Sequence, residues 1–104
     1  MQRPKRNPQI IWRHEKGRER DLLAAMERGE DVADRGVVIL IDGGIMHQLN
    51  LVGGTIWTLC DGSRSEAEIV DALAHDFAAD RAEISGDVQA FLADLEERRW
   101  LIDG

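Results

Sequence analysis

The stretch "GVVILIDGGIMHQLN", Gly36 to Asn50, constrains this chain more than any other. "GVVILID" is a continuous, β-branched run and reads as a strand. Asp42, Gly43 and Gly44 follow, and glycine supplies the positive φ that a tight hairpin turn requires. "IMHQLN" then returns as the antiparallel partner. Alternation places Ile45, His47 and Leu49 on one face, expected toward the core, and Met46 and Gln48 on the other. A chain built around this hairpin contains an antiparallel sheet.

The flanks supply the other elements. Residues 1–8 hold Pro4 and Pro8 among basic side chains and read as a flexible basic arm. "QIIWRHE", Gln9 to Glu15, is a short apolar run with Trp12 and is expected to be the first strand. Leu22, Leu23 and Met26 fall at helical spacing within Arg18–Asp31, and Gly29 is a fitting stop, so a short extra helix is expected between strands 1 and 2.

Three helices are expected after the hairpin. The first takes Asn50 as its cap, carries Leu51, Ile56, Trp57 and Leu59, and stops at Asp61–Gly62. Gly53 and Gly54 fall inside it, where each costs about 1 kcal/mol relative to alanine. Their simplest use is to let this helix approach the hairpin closely, placing Trp57 and Leu59 in the core. The second helix opens with Ser65 and Glu68 at capping-box spacing and carries Ile69, Val70, Leu73 and Phe77. The third is expected to take Ser85 as its cap, with Asp87 placed for the helix dipole, and carries Val88, Phe91, Leu92 and Leu95. The expected fold class is α+β: a winged helix-turn-helix-like outline, with a three-stranded antiparallel sheet followed by a three-helix bundle, in one domain over residues 9–104.

Charge narrows the function. Residues 1–20 hold seven Lys or Arg against two Glu, a net of +5, while residues 21–104 carry six basic and 18 acidic side chains, a net of −12. Acidic helices repel a phosphate backbone, which argues against the nucleic-acid binding of many winged helices. No apolar run is long enough to span a bilayer and no signal-peptide segment opens the chain, so a cytoplasmic protein with no membrane contact is expected. Cys60 stands alone, and His14, His47 and His75 fit no compact ligand spacing, so no metal, cofactor or catalytic residue is expected.

"HQLNLVGGTIWTLCDGSRSEAEIVDAL", with "DVQAFLADLEERRWL" further on, resembles the PqqD family over residues 36–102. What carries the resemblance is order and spacing: a strand ending in Leu-Asn, small residues, Ile-Trp, an Asp-Gly stop, a helix, and a closing aromatic–aliphatic pair. The resemblance implies a RiPP recognition element. Such proteins bind the leader of a ribosomally made precursor peptide and present it to a modifying enzyme, often a radical-SAM maturase. It also implies that the leader adds as a strand between the third strand and the third helix. Carried onto this sequence, the peptide-binding residues are Ile45, Met46, His47, Gln48 and Leu49 on the strand, and Asp87, Ala90, Phe91, Asp94 and Arg98 on the helix. Two other functions stay open: a docking or regulatory subunit without its own peptide ligand, and a DNA-binding winged helix. An open sheet edge also invites self-pairing into a homodimer.

Overall fold

The structure is a computed structural model, and it describes residues 2–32 and 35–103. The chain forms two compact units, one of residues 9–54 and the other of residues 1–8 with 55–104. Where one domain over residues 9–104 is expected, the first eight residues instead belong with the C-terminal half.

In the unit of residues 9–54 the sheet is antiparallel, in the order β2 (Ile11–His14), β3 (Gly36–Asp42) and β4 (Ile45–Asn50). The hairpin lies where its sequence places it. Gly43 and Gly44 have φ of 57° and 80°, the paired positive values of a type I′ turn. β3 is central, and Val37, Val38 and Leu40 are fully buried. A register shift between Gly36 and Val38 lets both neighbouring valines turn inward. Helix α1 (Lys16–Glu27) buries Leu22 and Ala25, is linked to β2 by a hydrogen bond between His14 and Glu19, and ends before Gly29 at φ 82°.

Helix α2 (Leu51–Leu59) starts directly from β4. Asn50 Oδ1 accepts from the Gly53 N–H at 2.8 Å, which is the expected cap. A Cβ on Gly54 would lie 2.8 Å from Val37 Cγ2 and 3.0 Å from Val38 Cγ2, so bare backbone is what lets this turn meet β3. Ile56 and Trp57 are fully buried, as the spacing predicts, whereas Leu59 is only half-buried.

The other unit holds helices α3 (Glu66–Asp76) and α4 (Arg81–Glu97), packed on one another. α3 has the full capping box: the Glu68 N–H donates to Ser65 Oγ, and Glu68 accepts from the Ser65 N–H. The Ser65 N–H, and after it the Ser65 hydroxyl, hold the Glu68 carboxyl below its ordinary pKa. α4 begins one turn earlier than Ser85. Its cap is Asp80, whose Oδ1 accepts from the Ala82 N–H at 2.9 Å, and Ser85 is an interior helical residue. The signal was present as Asp80 followed by Glu83, a spacing that competes with Ser85 for the start.

Residues 4–6 correct the expectation of a flexible arm. Pro4–Arg6 form β1, which pairs antiparallel with β5 (Leu101–Asp103). The other side of β1 is also bonded: the Arg6 N–H donates to the Cys60 carbonyl at 2.9 Å and the Gly62 N–H to the Pro4 carbonyl at 3.0 Å. Pro4 is fully buried, and Arg6 Nη1 donates to the Trp57 and Thr58 carbonyls at 3.0 and 2.7 Å, serving the end of α2. Among the described residues no helix is long and apolar enough to cross a membrane.

Candidate functional site

β4 is an edge strand, with β3 on one side and no strand on the other among the described residues. The two-residue turn sets which of its backbone groups stay available. The closing pair Asp42–Ile45 exchanges hydrogen bonds across the hairpin, and antiparallel pairs alternate, so Leu40–His47 and Val38–Leu49 do the same. The N–H and C=O groups of Met46 and Gln48 therefore point toward the open edge.

The side chains divide as the alternation predicts, with one correction. Leu49 is buried and His47 half-buried, while Met46 and Gln48 are exposed. Ile45, expected inward with His47 and Leu49, is 63% exposed because it stands beside the turn, past the buried stretch of its face. Register sets Ile11, Ile41 and Met46 side by side across all three strands, and they are 70%, 43% and 60% exposed. An apolar row thus runs across the outer sheet face and ends at the open edge.

Gln48 is held in a particular place. A Cβ on Gly36 would fall 2.5 Å from Gln48 Oε1, so the Gln48 side chain lies over bare glycine backbone. There it helps to line a cavity of about 420 Å³ with Arg18, Asp21, Leu22, Arg35 and Gly36. Arg18 Nη1 donates to the Gly36 carbonyl at 3.2 Å, fixing that wall. Gly36 is visible in the sequence, but Gln48 is twelve residues away on the partner strand, so neither the pattern of α1, which carries Arg18, nor the start of β3, which follows Arg35, flags the cavity.

In the other unit, the helix residues expected to take part lie together on α4. Asp87, Ala90 and Asp94 are exposed and Phe91 is half-buried. Asp94 already accepts from Arg98 Nε at 3.2 Å, one helical turn apart, and the Arg98 guanidinium sits 5.2 Å from the Trp100 ring centroid. An exposed pair of this kind contributes about 0.3–0.5 kcal/mol and separates readily for a better partner. Cys60 offers no nucleophile: burial pushes its thiol up to about 12, far from a reactive thiolate.

The family model that matches residues 35–101 is that of coenzyme PQQ synthesis protein D (PqqD). The chain belongs to the PqqD family. It is 52% identical over 48 residues to the PqqA binding protein of Rhodopseudomonas palustris strain HaA2, covering 46% of this chain and 47% of that protein. The counterpart in strain BisB5 is 50% identical over the same length. The chain thus spans about half the length of the curated relatives it matches. Two solved structures share the fold. TbiB1 in complex with the TbiA(beta) leader peptide has a TM-score of 0.65 and 24% identity, covering 93% of both chains. The PqqD truncation of Methylobacterium extorquens PqqCD, described as a stand-alone RiPP recognition element, has a TM-score of 0.63 and 20% identity, covering 95% of this chain and 87% of that one. β1, β2 and α1 precede the stretch that the PqqD model matches.

Proposed function

We propose that this chain is a non-catalytic, cytoplasmic recognition element that binds the leader of a ribosomally made precursor peptide and presents it to a radical-SAM maturase. The leader adds as a strand to the open edge of β4, and the family resemblance implies a second set of contacts, in the winged-helix manner, from Asp87, Ala90, Phe91 and Asp94 of α4 and from its C-cap Arg98. The open β4 edge carries this reading, because an edge strand with exposed apolar neighbours is what strand addition uses.

The energetics require those neighbours. A main-chain hydrogen bond contributes about 1 kcal/mol net, while ordering each peptide residue costs about 1–2 kcal/mol. Backbone pairing alone therefore breaks even at best, and micromolar affinity needs about −8 kcal/mol. Each buried Leu- or Phe-sized anchor adds about 1.5–3 kcal/mol, so two or three anchors suffice. Met46 and Ile41 offer an apolar floor beside the edge, and the flexible Met46 thioether adapts to differing anchors. A supporting point is the relatives' own designation as proteins that bind PqqA.

The test is a titration of 15N-labelled protein with a PqqA peptide, the ligand named for its relatives. Saturable shifts are expected along Ile45–Leu49 and on α4 from Asp87 to Arg98. Met46→Pro removes an edge donor at a position where proline is tolerated in a sheet, and is expected to weaken binding about tenfold while the fold persists. Shifts absent from β4, with the maturase still bound, would make the chain a docking subunit instead.

A further inference from the structure

The cavity lined by Arg18, Asp21, Leu22, Arg35, Gly36 and Gln48 is left unused by strand pairing. We propose that it receives the carboxylate of an aspartate or glutamate carried by the bound peptide, at the position facing Gln48. This rests on strand addition to β4 and names one determinant of which peptide is chosen.

Three observations meet at this place. The first is charge. Arg18 and Arg35 bring two guanidinium groups against the single carboxylate of Asp21, and among the described residues none of the three is within ion-pair distance of a partner. Among the described residues the site thus holds two cations against one anion, and in a chain of net charge −7 such a place is suited to an incoming anion. The second is donor supply. Arg18 spends one N–H on the Gly36 carbonyl, which anchors it, and a guanidinium has five N–H donors in a planar fork matched to carboxylate. Arg35 is exposed, and its own N–H is turned to the Val32 carbonyl at 3.1 Å.

The third is register. Gln48 points its backbone groups to the open edge, so an added strand places one residue directly opposite it. Directly opposed residues on neighbouring strands put their side chains on the same face, with Cβ atoms about 4.5–5.5 Å apart. That residue's side chain therefore enters on the side where Gln48 lies over Gly36. A carboxylate there meets the Gln48 amide and the arginine forks, while a lysine or arginine at the same position meets two like charges. The site thus selects by attraction and by repulsion together.

The probe is the blocked tripeptide acetyl-Ala-Glu-Ala-amide, followed by 15N spectra that include the arginine Nε–H signals. Its partners are the glutamine counterpart, acetyl-Ala-Gln-Ala-amide, and inorganic phosphate at matched ionic strength. Saturable shifts of the Arg18 and Arg35 side chains and of the Gly36 and Gln48 amides are expected with the glutamate peptide, at least threefold larger than with the glutamine peptide. Equal responses to the two peptides, or a response to phosphate alone, would overturn the proposal. Arg35→Gln is expected to abolish the difference between the peptides, and it spares the Arg18 anchor and hence the fold. With the full precursor peptide, Arg35→Gln should weaken binding about fivefold. β4 shifts unaffected by that change would refute the carboxylate site and leave strand addition standing. Glutamate-specific shifts at Arg35 with a silent β4 would instead refute strand addition and leave the carboxylate site.

Discussion

β1 and β4 are both short strands bearing long side chains, and they stand at opposite extremes of backbone use. β1 is bonded on both sides, to β5 along one and to Cys60 and Gly62 along the other. Two arginines in and beside it are also engaged: Arg3, just before the strand, donates to the Ser63 carbonyl at 2.6 Å, and Arg6 donates to the Trp57 and Thr58 carbonyls at the end of α2. Asn7, just beyond β1, donates to the Arg99 carbonyl at 2.9 Å. β4 carries fewer charges, yet its outer edge is open and Met46 and Gln48 stand exposed beside it. A basic composition therefore does not locate a binding surface. The surface proposed for the peptide lies instead where the backbone of β4 has donors and acceptors left over.

The sharpest way to break that contrast is to delete residues 2–8. If they form a bonded strand, removal strips two charge-assisted hydrogen bonds and the burial of Pro4, and should cost about 3 kcal/mol or more. Urea unfolding measures it directly. A midpoint unchanged by the deletion would return these residues to the status of a loose arm.

A smaller effect compares two glycines. Gly54→Ala drives a methyl into Val37 and Val38, whose side chains are buried on the central strand, and should cost about 1–3 kcal/mol. Gly36→Ala meets the Gln48 amide, which can swing away, but also the Gln48 Cβ at 3.0 Å, which moves only with the exposed edge strand, so its cost should be smaller, about 0.5–1 kcal/mol. The second substitution should instead be read at the site, as weaker binding of any peptide that uses Gln48. Equal stability losses at both positions would mean that Gln48 is held as firmly as the buried valines.

These elements also show what the sequence makes legible. The hairpin, the Asn50 cap and the Ser65–Glu68 capping box rest on signals within six residues of one another, and each formed where its local chemistry places it. β1 has no such signal. It is three residues long, begins with proline, and pairs Pro4 with Asp103, so nothing near it in sequence announces a partner. α4 failed differently: Asp80 and Ser85 are both sound caps, and a helical stretch that already satisfies its apolar stripe from Ile84 onward gains a turn by starting at the earlier one. The same limit applies to the site. Exposed Met46 and Gln48 follow from alternation and exposed Ile45 does not, while the Arg18–Arg35 cavity depends on a cross-strand approach of Gln48 to Gly36.

Cys60 offers a kinetic check on the bonded side of the contrast. It adjoins the β1 contact, and its thiol is pushed up to about 12 by burial, with Arg6 opposing the shift. At pH 8 that leaves about 10⁴-fold less thiolate than thiol. A disulfide reagent should therefore modify the native protein at least a hundredfold more slowly than the urea-unfolded chain. Deleting residues 2–8 should accelerate it, and rapid labelling of the intact native chain would refute the packing around β1.

The smallest effect lies at the turn that follows. Asp61 accepts from the Ser63 hydroxyl and N–H at 2.5 and 2.9 Å and faces Arg64 at 3.1 Å, and these partners hold its carboxyl down at about 2. The sign follows from linkage: a group whose folded pKa is depressed contributes stability above its unfolded value, near 3.8, and loses it as pH falls toward 2. Because Asp61 is exposed to solvent, the loss should be slight and should shrink further in salt. Urea midpoints between pH 5 and pH 2 should fall less steeply in Asp61→Asn than in the parent, since the variant has no proton to gain there. A carbon-detected titration placing the Asp61 midpoint near 4 would show that the turn is not closed in solution. It would also show that the 60–62 segment is not fixed as a partner for β1, which would return the outer side of β1 to solvent.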